Sequence, residues 1–380
     1  MSRVVISTIG TSLLTNQINR NTENNWYSRL RDTANITFKE IADQHPDVTE
    51  IIQVLQTRGK AKIDTDDINL IRSASAELNG IYGLYKGRLE TGKEQRDIHW
   101  LITTDTYQGI TTAQIVKNFL QKRGIIVDIY APRQLSTASS ESFSNGIDDL
   151  ISWLDNNIYP YKQSHYQICF NLVGSFKSLQ GYLNTIGMFY ADEIIYIFEG
   201  KNSELITIPR LPISIDYTAI APYKLQLALM DAGAVMNAEI VRGIHESMIY
   251  PPGKSELTLS TWGQLVWNQC KKEMLSQELL PFERLQYRPS FVADYKNIRS
   301  QDEKVKLQET LAKVSYLLNQ SNGDTSVLKK DGGLQYDKYT NKGNIEHFRV
   351  TQGLRISCVA ISGMLELRRY GAEPVVNNNP

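Results

Sequence analysis

Short, nearly continuous apolar runs alternate with helix-length amphipathic stretches, and this alternation most narrows the folds open to the chain. Residues 4–8, 51–55, 100–103, 125–130, 167–172 and 193–198 each read as a strand of four to six residues, and 205–208 as an edge strand. Between them lie helix-like stretches near 28–44, 65–79, 108–123, 143–157 and 178–190. Strands apolar along their whole length are buried on both faces, and helix-length connections between them imply a parallel sheet with helices on each side. The first 210 or so residues therefore predict a doubly wound α/β fold. In such sheets ligands bind beyond the carboxyl ends of the strands.

With 380 residues the chain exceeds one ordinary core. Pro209, Pro212 and Pro222 punctuate the end of the strand-rich part. From Tyr223 to about Ile249 the pattern turns helical, with Met236, Ile240, Ile244 and Met248 four residues apart, until Tyr250, Pro251, Pro252 and Gly253 stop it. A second helical stretch, about 258–280, carries Trp262, Leu265, Val266, Trp267, Met274 and Leu275 ahead of Pro281. Such stripes fit a core, a dimer interface or a docking surface. From Phe282 the organisation changes again. Residues 294–318 read as one long amphipathic helix, followed by Val327 and Leu328, a turn at Gly332 and Gly333, and strand-like runs at 347–350, 355–361 and 364–370. A helix followed by an antiparallel meander makes a small α+β domain. The expected division is 1–215, a helical connector 216–284, and 285–380.

Charge adds a direction to that division. The 41 Lys and Arg balance the 41 Asp and Glu overall, yet residues 284–380 hold 15 basic against 10 acidic side chains, leaving the body mildly acidic. A basic module on an acidic body suits a polyanion partner. At 41% apolar and 22% charged the composition excludes disordered, collagen-like and disulfide-stapled chains. No apolar run approaches the roughly 18 residues of a membrane span. The opening residues lack the marks of a secretory signal. Cys169, Cys270 and Cys358 are far apart, which fits buried free thiols. The expectation is a soluble cytoplasmic protein without membrane partners.

Three strand ends carry candidate chemistry. Gly10, Thr11 and Ser12 follow the first strand, and Gly174, Ser175, Phe176 and Lys177 follow the strand at 167–172. The third, residues 103–109, includes Asp105 and Thr106. Glycine permits close backbone approach, while hydroxyls and exposed N–H groups hold phosphate oxygens. Lys177 at a helix start adds a point charge. Each element alone also reads as a capped helix start. No G-x-G-x-x-G or lysine-bearing P-loop is present. In the last domain His347, Arg349, Arg355, Arg368, Arg369 and Tyr370 lie on neighbouring strands, where alternation lets basic side chains converge. Guanidinium groups there would stabilise charge on a phosphate under attack by a 2′-OH. A histidine, a tyrosine or a lysine of lowered pKa would move the proton. A solvated, idle basic surface is the other reading. No residues stand at metal-ligand spacing, so no metal and no cofactor beyond a ligand are expected.

The two loop motifs, in this order, resemble the CARF (CRISPR-associated Rossmann fold) domains of type III CRISPR systems over about 1–215. That resemblance implies a homodimer with a symmetric pocket for a cyclic oligoadenylate, commonly cyclic tetra-adenylate. Some close relatives also cut the ring, using the lysine and first-loop hydroxyls to position a ribose 2′-OH for attack on its phosphate, and by carry-over Thr11, Ser12, Ser175 and Lys177 would do that here. The tail, about 285–380, resembles the RelE/ParE toxin superfamily. RelE members cleave mRNA in the ribosomal A site, whereas ParE members poison gyrase. Arg349 and Arg355 fall on that superfamily's basic positions in the middle strands, Arg368 or Arg369 on the one in the last strand, and Tyr370 near its terminal tyrosine. The proton-transfer residue has no clear match, with His347, Lys329, Lys330 and Tyr336 as candidates. Together the resemblances imply a metal-independent endoribonuclease switched on by cyclic oligoadenylate, cleaving mRNA on the ribosome for antiviral defence. The alternatives are a ring nuclease, or a ligand-responsive nucleic-acid-binding regulator without chemistry.

Overall fold

The computed structural model describes residues 1–197, 204–253 and 256–380, and the chain divides into two compact units, 1–213 and 214–380. The first is the expected α/β fold. Its sheet comprises β1 (Arg3–Thr8), β2 (Ile98–Ile102), β3 (Ile126–Tyr130), β4 (Gln167–Asn171), β5 (Glu193–Ile197) and β6 (Leu205–Pro209), in the order β3-β2-β1-β4-β5-β6. The first five run parallel, and β6 closes the edge antiparallel to β5. Phe198, at the end of the expected fifth run, lies outside the described residues. The apolar side chains of β1 and β4 are fully buried because both strands are central. The strand order reverses between β1 and β4, so the crevice outside their carboxyl ends is the topological switch point where such sheets take ligands.

Residues 51–55 are not a strand. They lie inside the helix Pro46–Ile63, where Val48, Ile51, Ile52, Leu55 and Gly59 are buried and Val54 is exposed. That spacing is the helical period, and Pro46 stands in the first turn, where its missing N–H costs nothing.

Residues 216–284 lie within the second unit and share its core with the sheet that follows: Leu227, Met230, Trp267 and Leu275 belong to one cluster with Leu311, Phe348, Ile356 and Leu367. The helix expected through Ile249 ends early. Helix Lys224–Asp231 stops before Gly233, whose φ of +104° is left-handed backbone, and Met236 then enters a short strand. This strand, β7 (Met236–Asn237), pairs with β9 (Glu256–Leu259), which also pairs with β8 (Ile249–Tyr250). Ile244 and Met248 still reach the core, Ile244 from a bend and Met248 from the short 3-10 helix Glu246–Met248, and Ile240 is exposed.

The long helix expected at 294–318 is two helices, Pro289–Asn297 and Gln301–Gln320. Ile298 is extended, and the Ser300 side chain caps the second helix by accepting the Glu303 N–H at 3.2 Å. Val327 and Leu328 sit in a short helix, Ser326–Lys330. The second unit's main sheet holds β10 (Leu285–Tyr287), β11 (Asp337–Lys338), β12 (Glu346–Arg349), β13 (Leu354–Ile361) and β14 (Met364–Ala372), in the order β10-β14-β13-β12-β11. β11 to β14 form the antiparallel meander, while β10 adds a parallel edge and a helix, Glu373–Asn378, follows β14. Among the described residues no helix is long and apolar enough to cross a membrane. Cys169, Cys270 and Cys358 are buried free thiols.

Candidate functional site

At the switch point of the first unit the loops after β1 and β4 are packed directly on each other. A Cβ on Gly10 would stand 2.9 Å from the Ser175 nitrogen, and one on Gly174 would stand 2.2 Å from Glu77 Oε1. Only glycine allows this approach. Thr8 Oγ1 donates to the Gly174 carbonyl at 2.6 Å and ties the β1 end to the second loop. Beneath both loops lies Glu77, fully buried near the start of the helix Ala76–Leu84. Its Oε1 accepts the Gly10 N–H at 2.6 Å, and its Oε2 accepts the Ser75 and Ser12 hydroxyls at 2.6 and 3.0 Å. Ser12 Oγ in turn accepts the Ala76 N–H at 3.0 Å. The Gly10 N–H and the Ser12 hydroxyl thus face inward and hold the loop's shape.

The groups at the mouth of the crevice are others. Lys177 is exposed at the first position of the helix Lys177–Tyr190, and no side chain caps that helix, so its first N–H groups carry their partial positive charge uncovered. Ser175 adopts a φ of +94°, and its Oγ is buried without a hydrogen-bond partner among the described residues. Strained backbone of this kind persists where the surroundings fix it, often at ligand sites. Phe176 packs edge-on against Phe143, with ring centroids 6.2 Å apart. Thr11 precedes a single turn of helix and is half-buried.

The third element is more inward than its sequence suggests. Thr106 is buried and caps the helix Tyr107–Lys122 by accepting the Gly109 N–H at 3.2 Å, and the Asp105 carboxylate accepts the Gln134 N–H at 3.3 Å. Its neighbour Thr103 keeps a buried hydroxyl without a partner among the described residues.

In the second unit the strand register decides which cations meet. Arg349 on β12 faces Arg355 on β13, and His347 faces Ser357, which in turn faces Arg369 on β14. All five side chains lie on the sheet face opposite Phe348, Ile356 and Tyr370, which point into the core. A register shift at Ser357 and Cys358 leaves Arg368 as an extra residue between Leu367 and Arg369. His347 packs against Tyr339 with ring centroids 4.4 Å apart. Its pKa lies below the ordinary histidine value because burial disfavours the cation and the Arg355 charge adds to that, with Asp337 and Glu373 opposing. The neutral imidazole has a lone pair for a proton. Three polar atoms on this face, His347 Nδ1, Arg349 Nε and Ser357 Oγ, are buried without hydrogen-bond partners among the described residues, as is Arg368 Nε nearby.

Not every residue picked from the sequence joins this cluster. Tyr370 is on the core face, where its hydroxyl donates to Glu303 at 3.0 Å, and burial with that carboxylate raises its pKa. Arg369 forms a two-pronged pair with Asp294 at 2.8 and 3.1 Å. Arg355 pairs with Glu373 at 2.7 Å. Tyr336 is buried and donates to Glu346, while Lys329 and Lys330 are exposed on their short helix. Among the described residues no three His, Cys, Asp or Glu side chains come together as a metal site.

Residues 72–211 match a family described as CRISPR-associated protein (Cas_APE2256). The match begins just ahead of Glu77 and includes β2 to β6 and the Gly174 to Lys177 loop; the loop at Gly10 and the second unit lie outside it. No curated protein matches the chain.

Glu77 and Ser75 are absent from the candidates that the sequence offers. An acidic residue in a first turn behind a serine cap ordinarily signals a helix start. The clue to something more was its place in an apolar stretch, beside Leu78 and Ile81, that packs inside the unit. Asn171, at the end of β4, was also missed as a fastener: its Nδ2 donates to Ser7 Oγ at 3.1 Å and to the Glu77 carbonyl at 3.2 Å.

Proposed function

We propose that the chain is a CRISPR-associated, ligand-controlled endoribonuclease. Its first unit binds a cyclic oligoadenylate, cyclic tetra-adenylate first among them, as a homodimer, and its second unit cleaves mRNA on the ribosome. The observation that carries the reading is the register match of Arg349 with Arg355 beside a neutral, half-buried His347, on a face where His347 Nδ1, Arg349 Nε and Ser357 Oγ lack hydrogen-bond partners among the described residues. The family match over 72–211 and the loops meeting at the switch point support the sensing half.

The chemistry follows from the residues. His347 accepts the proton of a ribose 2′-OH, and the 2′ oxygen forms a bond to the adjacent phosphorus. Arg349 and Arg355 stabilise the charge that builds on the non-bridging oxygens. The bond from phosphorus to the 5′ oxygen breaks, that oxygen takes a proton from solvent, and the products are a 2′,3′-cyclic phosphate and a 5′-hydroxyl. Arg355 must leave Glu373 to act on a phosphate. For the ligand to control this step it must bind the active arrangement more tightly than the resting one.

The test is cleavage of end-labelled RNA by the purified full chain, with and without cyclic tri-, tetra- and hexa-adenylate, in EDTA, and cleavage of mRNA in a translating extract without EDTA. One ring should start cleavage, and Arg355→Ala should abolish it while ligand binding persists. RNA left intact in both settings at saturating ligand refutes the reading. Linear products from cyclic tetra-adenylate with no RNA cut would favour a ring nuclease instead.

A further inference from the structure

The helix Glu373–Asn378 and the residues after it lie against β13 and β14 and present oxygens to Arg355 on the basic face and to Tyr339, Lys342 and Arg368 around it. The Glu373 carboxylate holds Arg355 at 2.7 Å. Asn377 Oδ1 accepts the Tyr339 hydroxyl at 2.8 Å, beside His347. The Asn378 carbonyl accepts Lys342 Nζ at 3.2 Å, and the Pro380 carbonyl accepts Arg368 Nη2 at 3.4 Å. Four contacts of one kind, an oxygen from 373–380 accepting from the sheet side, are what an RNA backbone would offer the same groups.

The hold is slight and the fit incomplete. Of the helix's side chains only Val376 is buried, and Val375 is 60% exposed. One backbone bond, from the Glu373 N–H to the Gly353 carbonyl at 2.8 Å, fixes the start of the segment. Four polar atoms on this side of the sheet, His347 Nδ1, Arg349 Nε, Ser357 Oγ and Arg368 Nε, still lack partners among the described residues. Buried polar atoms without partners are unfavourable, so a ligand that satisfied them would have an advantage over the segment now present.

We propose that residues 373–380 are an intramolecular stand-in for RNA, which covers the basic face in the resting protein and lifts when RNA enters. This rests on the ribonuclease reading of the same face. RNA then binds only the uncovered fraction, and its apparent affinity is reduced by that fraction.

The experiment uses the full chain without cyclic oligoadenylate and a short 2′-O-methyl RNA, which lacks the attacking hydroxyl and cannot be cut. Fluorescence anisotropy compares wild type, Glu373→Gln, a chain ending at Ala372, and Arg349→Ala. Glu373→Gln, which keeps the side chain's size, should bind about fivefold to tenfold tighter, as expected for losing one charge-assisted pair. The shortened chain should bind tighter still, and both should cut unmodified RNA faster than wild type. Hydrogen exchange of wild type should show amides 376–379 losing protection when RNA is added, a readout that a simple change of charge does not produce. Unchanged affinity of a folded Glu373→Gln, or protection of 376–379 that holds or rises with RNA, overturns the proposal. Arg349→Ala separates the two readings: weakened RNA binding there with no effect of Glu373→Gln sinks only the stand-in, whereas unweakened binding sinks the ribonuclease face itself.

Discussion

Replacing Glu77 tests whether one buried carboxylate fastens the two loops of the first unit. In Glu77→Ala the Gly10 N–H and the Ser12 and Ser75 hydroxyls lose their acceptor at a site with no exposure. Hydrogen bonds to a charged group contribute roughly 1.5–3 kcal/mol each, and relief from burying the charge offsets part of the loss. A net cost of about 3–4 kcal/mol is expected, cavity included. Glu77→Gln should cost about 1–2 kcal/mol, because its amide oxygen still accepts the Gly10 N–H and both hydroxyls can turn to accept from its NH2. The chain has two units, so a single global unfolding energy is the wrong measure. Hydrogen exchange read on peptides spanning 9–16 and 171–180 is local, and a loss of 3 kcal/mol there corresponds to roughly 150-fold faster exchange for amides that exchange by opening. Both peptides should respond, since Glu77 touches one loop by hydrogen bonds and the other by packing at Gly174. Wild-type protection in Glu77→Ala would refute the argument. A response confined to 9–16 would show that the carboxylate does not couple the loops.

Three further outcomes follow from the same geometry. Lys177→Ala should weaken cyclic oligoadenylate binding about tenfold and flatten its salt dependence, measured by titration at two ionic strengths; unchanged affinity would remove the lysine from the site. Gly174→Ala forces a methyl group to 2.2 Å from Glu77 Oε1, so it should cost about 1–3 kcal/mol and abolish ligand binding, checked by the same exchange peptides and titration. His99, whose Nε2 meets the Tyr85 hydroxyl at 2.9 Å, is pushed down to about 3 by burial. Between that value and its ordinary 6.5 the unfolded chain binds the extra proton, so His99's contribution is whole above pH 6.5 and is lost as pH falls. Exchange protection of β2 should decline by up to about 1.4 kcal/mol per pH unit below 6.5, and His99→Gln should flatten that slope.

The first unit was largely legible because a central parallel strand has no polar side to disguise it. β1 to β6 each stand where an apolar run predicts a strand, and both glycine loops stand at carboxyl ends. The one false strand, 51–55, shows the limit: Val48, Ile51, Ile52 and Leu55 are buried at i, i+3, i+4 and i+7, and the last five residues of that span look like a strand because the exposed Val54 falls among them. What the local pattern could not reveal was where hydroxyls point. Ser12 and Thr106 have the residue types of a phosphate cradle, yet one is turned to Glu77 and the other caps a helix. The choice was made by residues about 65 positions away in the first case and by the backbone three positions on in the second.

The second unit shows the same limit in another form, because the charge its basic face offers depends on which cations stay unpaired. The alternation of His347 with Arg349, and of Arg355 with Ser357, was readable along each strand, and the antiparallel register brings the two pairs together. One extra residue at Arg368 shifts the last strand, placing Tyr370 with Leu365 and Leu367 in the core rather than with the arginines. Neither that bulge nor the carboxylates that meet the cations leave a mark in local spacing. Asp294 reaches Arg369 across 75 residues of sequence, and Glu373 reaches Arg355 from a helix no apolar period announces. Charge counted along 284–380 therefore overstates what a substrate meets: of the four arginines picked from the sequence, two are already held by carboxylates. Under the proposed ribonuclease reading, cleavage on this face requires that at least the Arg355 pair open, which would make the partner carboxylate as much a determinant of activity as the arginine itself.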